Sequence, residues 1–349
     1  MLYEGADTLF MRTKHSECSY ILLPQGAKID IPLAHYALGG GATNVGVGLK
    51  KLGFEVEVFF RTGNDATGCS IKEKLAHDGI STKYCTTDNE HGTAISVIIP
   101  SQEHDHVALC YRAANRNQKK EDFPLALLEE IDLLYLGPLG GQSQELLPYL
   151  APRAHAAGVT VALNPSMIQL THNTLELTES LRYCDILVVN TAESGYLMQA
   201  LLQQKKQPVF YYRQSEEPAL LQDHLSFNNT DQSFSLRAIA KLILKSGPQT
   251  IVITNGAEGV YVVTAETIYF HPSIPTSPVY SLGAGDAFNS GFLGALSLDI
   301  PLDKALIYGI LNASSVIQHP DAKQGLLSLE ILEQKAESIG TKLVKTYAL

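Results

Sequence analysis

The chain reads as an α/β protein with a central, mainly parallel sheet and a smaller β layer beside it. Two observations predict this. Short, near-continuous apolar runs alternate with longer amphipathic segments, and strands without polar alternation are buried on both faces. Two stretches, 19–33 and 93–110, break that rhythm and read as strands with no helix between them. The 349 residues suit one large domain with a small appendage, and 45% hydrophobic residues supply its core.

In chain order, strands are expected within 19–33. The stretch Gly39-Gly-Gly-Ala-Thr-Asn-Val-Gly-Val-Gly-Leu-Lys-Lys-Leu-Gly53 opens as a glycine-rich turn and passes into a helical pattern over 45–52. Residues 56–60 (VEVFF) cluster β-branched and aromatic side chains ahead of Gly63 and predict a strand. A helix is expected over 69–77, and 93–110 suggest a hairpin turning around 100–105. Next come strand 133–136, helix 145–157, strand 159–163, strand 186–189 and helix 193–203. Residues 203–235 are polar and irregular and read as an insertion, a surface loop with one short helix. Helix 235–244, strand 251–254 and helix 287–296 complete the series.

With 26 Lys and Arg against 36 Asp and Glu, the net charge is −10, so the basic footprint needed to grip nucleic acid is absent. A small anion is still admissible, because it feels only its local field. Cys18, Cys69, Cys85, Cys110 and Cys184 are odd in number and form no CxxC pair, which suits free thiols in a reducing compartment. The N-terminus lacks a basic start followed by an apolar run, and no stretch reaches the roughly 18 apolar residues of a membrane helix. A soluble, cytoplasmic protein with no membrane partner is expected.

Two glycine-rich turns carry the candidate chemistry. In Ser281-Leu-Gly-Ala-Gly-Asp-Ala-Phe-Asn-Ser-Gly291, the small residues Gly283, Ala284 and Gly285 precede a helical pattern. Such a turn presents unpaired N–H groups and a helix dipole to an anion without any Lys or Arg. Asp286 falls in the first helical turn, where it would serve either as a helix cap or as a base toward a hydroxyl nucleophile. Neither a Walker pattern nor GxGxxG is present. In the earlier turn, Gly39 and Gly40 permit close ligand approach, and the amide of Asn44 suits a polyol or, equally, a helix cap. His104 and His106 flank Asp105 at the expected hairpin tip and read as solvated surface rather than a metal site.

Together these stretches resemble the ribokinase-like (PfkB) family of sugar and nucleoside kinases, over about 39–325 and with the motifs in family order. Gly39-Gly40 with Asn44 is similar to the sugar-binding GGxxxN turn. Gly63-Asn-Asp-Ala-Thr-Gly68 resembles a largely structural G-x-D-x-x-G turn, and Gly92-Thr93-Ala94 and Ala113-Ala114-Asn115 the strands into and out of the lid. Asn190-Thr-Ala-Glu193 matches N-x-x-E, Thr254-Asn-Gly-Ala-Glu-Gly259 the nucleotide loop T-x-G-x-x-G, and Gly283-Ala-Gly-Asp286 the most specific motif, GAGD.

The resemblance implies a ribokinase-like three-layer α/β sandwich (36–90 and 113–349) with a small β lid (1–35 and 91–112). It implies transfer of the γ-phosphate of Mg·ATP to a sugar hydroxyl, with Asp286 as the base. The backbone of Gly283, Ala284 and Gly285 would form the anion hole. Gly39, Gly40, Asn44, Asn115, Arg112 and Asp7 would meet the substrate. Asn190 and Glu193 would support Mg2+ through water, and Thr254, Gly256, Gly259 and Asn312 would line the nucleotide. A homodimer paired through the lids is also implied. The alternatives are a nucleoside (adenosine-like) kinase and an inactive kinase-fold binding module.

Three departures stand against the family pattern. Tyr280 and Leu282 occupy positions where many members carry oxygen ligands for a monovalent cation, which puts K+ activation in question. Asp7, in Gly5-Ala-Asp-Thr, matches the family's substrate-binding Asp poorly. The segment 193–251 is longer than in typical members.

Overall fold

The computed structural model describes residues 9–12, 19–31, 33–100, 106–205, 219–222, 225–226 and 233–349. Strands β1 (Leu9–Arg12) and β2 (Ser19–Leu22) pair antiparallel ahead of helix α1 (Gly41–Lys51). β3 (Phe60–Gly63), α2 (Ala66–His77) and β4 (Cys85–Asp88) follow, with β3 and β4 parallel. β5 (Ile95–Pro100) and β6 (His106–Tyr111) form the expected antiparallel hairpin.

The chain then passes through β7 (Leu133–Leu136), α3 (Leu146–Ala156), β8 (Thr160–Leu163), α4 (Met167–Thr171), α5 (Thr174–Ser180), β9 (Ile186–Asn190) and α6 (Thr191–Lys205). Within the expected insertion, the described pieces are α7 (Ala219–Gln222) and an antiparallel pair, β10 (Leu225–Ser226) and β11 (Ser233–Phe234). Next come α8 (Leu236–Leu244), β12 (Thr250–Thr254), β13 (Val260–Val263), β14 (Thr267–His271) and α9 (Ala284–Ser297). The chain closes with α10 (Leu302–Val316), α11 (Leu329–Ile339) and β15 (Lys345–Ala348).

The central sheet has seven strands in the order β15-β14-β13-β12-β9-β8-β7. The four from β7 to β12 run parallel, and β13, β14 and β15 extend one edge antiparallel. Both faces are covered, which makes this an α/β sandwich. Ile251 and Ile253 of β12 join a core with Leu147 of α3, Leu197 of α6 and Ile239 of α8. Val252, between them, joins Phe288 and Phe292 of α9, Leu306 of α10 and Leu332 of α11. Successive residues of one strand thus enter two cores, which is why its sequence shows no polar alternation.

Four expectations are corrected. The strand expected over 56–60 forms at Phe60–Gly63, because Val56 and Val58 pack beneath Gly46 of α1 instead of joining a ladder. β4 and the antiparallel extension were not expected from the sequence; Gly259 turns the chain straight back into β13, leaving no helix to mark a crossover. The stretch 19–33 is a strand only at Ser19–Leu22. Finally, β1–β2 and β5–β6 each pair within themselves, so the described residues hold two small β ribbons rather than one small sheet. No helix among the described residues is long and apolar enough to cross a membrane.

Candidate active site

The site begins with a close helix contact. A Cβ on Gly48 of α1 would stand 2.2 Å from Ser290 Oγ of α9, and a Cβ on Gly294 2.5 Å from Leu52 Cδ1. Glycine at these positions lets the two backbones approach, so that the N-terminal turns of both helices meet. There Asn44 Nδ2 donates to Asp286 Oδ2 at 2.7 Å. The two glycine-rich motifs, 242 residues apart in sequence, are joined by this bond.

The cap of α9 is Gly283, in the left-handed region with φ 81° and no side-chain cap bond. A Cβ there would stand 2.3 Å from Ala322 Cβ, so only glycine fits. Asp286 therefore does not cap its own helix: its carboxylate is committed to Asn44. Its remaining oxygen, Oδ1, is 3.5 Å from where a Cβ of Gly41 would stand. Burial pushes the Asp286 carboxyl above the usual carboxylate range, opposed by the Asn44 amide and the charge of Lys323. The anion hole expected of Gly283, Ala284 and Gly285 is corrected in part: the Ala284 N–H donates to the Ser281 carbonyl at 3.3 Å, whereas no backbone acceptor among the described residues takes the N–H of Gly285 or Asp286, and a Cβ on Gly285 would touch nothing within 4 Å.

Thr43 Oγ1 donates to the carbonyls of Gly39 (2.7 Å) and Gly40 (2.9 Å) and closes the turn before α1. The turn adopts φ 98° at Gly40.

At the sheet, Asn190 and Thr254 are direct register partners at the C-terminal ends of the parallel strands β9 and β12, where open α/β sheets bind their ligands. The Asn190 N–H donates to Glu193 Oε2 (2.9 Å) and the Glu193 N–H to Asn190 Oδ1 (2.8 Å), a reciprocal cap of α6. Burial raises the Glu193 carboxyl, opposed by the Asn190 N–H. A desolvated carboxylate with no cationic partner among the described residues is a fitting oxygen donor for Mg2+. Gly256 and Gly259 both take positive φ (53° and 126°), and a Cβ on Gly259 would stand 2.3 Å from the His271 carbonyl oxygen. The turn thus leaves Gly256 with open space around its Cα and packs Gly259 against the end of β14.

Other expected residues are placed differently. Asn312 is corrected: it is fully buried, its amide donates to the Ala287 carbonyl (2.9 Å) and Ser290 Oγ (3.0 Å), and it accepts from Leu327 N–H (2.9 Å). It ties α10 to α9 and has no amide left to face an adenine. Arg112 and Asn115 are exposed at the return from β6, where Ala113 takes φ 36°. Neither bonds Asn44 or Asp286 among the described residues. Asp7, His104 and Asp105 lie outside the described residues.

Sequence reasoning missed four residues. Lys323 is buried and donates to Asn44 Oδ1 at 2.5 Å and to the Leu38 carbonyl. Tyr135, at the end of β7, donates to Asn164 Oδ1 (3.4 Å) and accepts from Asn289 Nδ2 (3.1 Å). Its phenol is held well above the usual range, first by burial and then by the negative charges of Asp286 and Glu193. Asn164 and Asn289 sit just past a strand and inside a helix and carry no motif; Lys323 lies in an irregular stretch, Asp-Ala-Lys-Gln-Gly, with no periodicity to mark it.

Comparison with known proteins supplies the family. A family model described as pfkB family carbohydrate kinase matches residues 16–328. The chain belongs to the pfkB carbohydrate kinase family. It is 27% identical over 312 residues to a 5-dehydro-2-deoxygluconokinase of Lacticaseibacillus casei, covering 86% of this chain and 87% of the relative. It is 24% identical over 306 residues to a ribokinase of Haemophilus influenzae, covering 85% and 88%. Its fold matches that of a putative ribokinase II from E. coli, solved in complex with ATP and Mg2+, with TM-score 0.69 at 17% identity over 90% of this chain and 94% of the other. As a family member the chain is a phosphotransferase with a hydroxyl acceptor, built on the ribokinase fold.

Proposed function

We propose that the protein transfers the γ-phosphoryl group of Mg·ATP to a hydroxyl of a sugar or sugar derivative, with Asp286 as the base. The observation that carries this reading is the 2.7 Å bond from Asn44 to Asp286 at the open N-terminus of α9. It supports the reading by bringing an amide, a carboxylate whose Oδ1 bonds no partner among the described residues, and the opening turn of a helix together.

In the reaction, the acceptor hydroxyl gives its proton to Asp286 Oδ1 while its oxygen forms a bond to the γ-phosphorus. The bond from that phosphorus to the β-phosphate bridging oxygen breaks, and ADP leaves. A carboxyl raised by burial is a better proton acceptor than a solvated one, which suits general-base work. The N–H groups of Gly285 and its neighbours stabilise negative charge on the transferring group. Glu193, held by its reciprocal cap with Asn190, offers an oxygen to the metal, and Thr254, Gly256 and Gly259 carry the nucleotide backbone. When bound, Mg2+ supplies charge neutralisation on the phosphates.

The β5–β6 hairpin acts as the lid. Its cross-strand pairs Ile95–Tyr111, Val97–Leu109 and Ile99–Val107 share one face, and five of these six side chains are exposed. That apolar face suits closure over the acceptor and pairing with the lid of a second copy. Because Tyr280 and Leu282 offer no carboxylate or hydroxyl pair to a monovalent ion, turnover is expected without K+.

The test is ADP release from Mg·ATP across a panel of ribose, 5-dehydro-2-deoxygluconate, other hexoses, sugar acids and nucleosides, with and without K+. Asp286→Asn should lower kcat on the acceptor found by about a hundred- to ten-thousand-fold. Near wild-type turnover by this variant would remove Asp286 from the role of base.

A further inference from the structure

The loop that follows α10 contributes a buried cation to the acceptor side of the site. Lys323 is 8% exposed, and its ammonium meets two acceptors among the described residues, Asn44 Oδ1 and the Leu38 carbonyl. An ammonium can only donate. Asn44 must therefore turn its oxygen toward Lys323, and only its Nδ2 remains to face Asp286, as observed at 2.7 Å. A glutamine, methionine or water at this position would leave the amide free to rotate by half a turn and set two oxygens against each other.

The loop is held for this task from several sides. Ala322 packs against Gly283, Asp321 Oδ1 accepts from the backbone of Lys323 and Gln324, and Lys51 Nζ of α1 donates to the Leu326 carbonyl at 3.1 Å. We propose that Lys323 is a positioning residue for phosphoryl transfer: by fixing the Asn44 amide it holds one oxygen of Asp286 and leaves the other for the acceptor hydroxyl. The proposal rests on the reading of Asp286 as the base.

Charge supports the geometry. Burial pushes Lys323 down to about 8, while Asp321, Asp286 and Asp78 favour its charged form and Lys74 opposes it. These groups come from the loop itself, from α9 and from the end of α2, and Asp286 is the one that reacts. Removing the cation should raise the Asp286 carboxyl further, since an opposite charge at this range is worth about one pH unit or more.

A double-mutant cycle tests this, using the acceptor turned over in the panel. Lys323→Met should lower kcat about tenfold with KM changed less than about threefold, and move the acid limb of kcat/KM up by about one pH unit. In an Asn44→Ala background the same substitution should cost less than about twofold in kcat, because the two residues act in series. Full additivity in the cycle, or wild-type kcat and pH profile in Lys323→Met, overturns the proposal. Failure of the base reading shows separately, as activity retained in Asp286→Asn. Should Lys323→Met not fold, NMR titration of the Asp286 carboxyl and the Lys323 ammonium in the wild-type, ligand-free protein decides: mutually coupled titrations support the contact, and independent ones overturn it.

Discussion

At the scale of single residues, Asp65 and Asp286 show how environment divides one residue type between two jobs. Both stand at a helix start, Asp65 as the cap of α2 and Asp286 in the first turn of α9. Asp65 accepts from Gly68 N–H (2.8 Å), Thr93 N–H (2.7 Å) and Thr93 Oγ1 (2.6 Å), and the Thr93 bonds hold its carboxyl below the usual range. It is a satisfied anchor that locks the start of the lid strand to α2. Among the described residues Asp286 has a single side-chain hydrogen-bond partner, Asn44, and it is pushed upward by burial. A carboxyl raised in the folded state binds its proton more tightly there than in the unfolded chain, so it costs stability when ionised. That cost is present above the folded value and vanishes once the pH falls below the unfolded value, about 4. Asp286→Asn and Glu193→Gln should therefore melt higher than wild type at neutral pH in the absence of ligand, with the gap closing toward about pH 4. Calorimetry at the two pH values checks this; equal or lower melting at neutral pH would contradict the burial argument.

At the scale of elements, α1 and α9 pack closely because Gly48 and Gly294 leave room for Ser290 and Leu52 from the opposite side. The glycines of 39–53 read in sequence as ligand-approach residues, and the structure divides them. Gly40 and Gly41 shape the turn, whereas Gly46 and Gly48 seat α1 against Val58 and Ser290. Gly48→Ala should cost about 1–3 kcal/mol in urea unfolding by overpacking, and should lower kcat by shifting Asn44 away from Asp286. Gly48→Ala combined with Ser290→Gly relieves the clash and should recover most of both losses. No recovery in the double variant would show that the contact is not what aligns the helices. The strands were legible where a helix separates one from the next, as at Leu133–Leu136 and Thr160–Leu163. They were not legible where tight antiparallel turns replace helical crossovers, as from β12 to β15.

At the scale of the whole molecule, a chain of net charge −10 is proposed to bind an anion at a turn, 281–291, that contains no Lys or Arg. Backbone N–H groups and a helix terminus act over a few ångströms, so the global charge has little influence on the bound anion. The buried cation near this turn, Lys323, is spent on Asn44. Binding to the folded state alone should stabilise the protein by mass action: Mg·ATP at a hundred times its Kd should add about 2.7 kcal/mol to the unfolding free energy. ATP with EDTA should add less, because Glu193 and Asn190 then lack the metal that links them to the phosphates. Equal stabilisation with and without Mg2+ would argue against the metal role given to Glu193. Denaturant titration in the three conditions measures it.

By itself the sequence determined the class of fold, the family and the motifs from which the proposed site is built, because these depend on local pattern: apolar period, glycine turns and an aspartate at a helix start. Only the tertiary structure decided which reading of each ambiguous residue holds. It released Asp286 from capping, committed Asn312 to the core, and brought Lys323, Tyr135 and Asn289 to the site. Those assignments depend on contacts between segments distant in the chain, made by packing that no local pattern encodes.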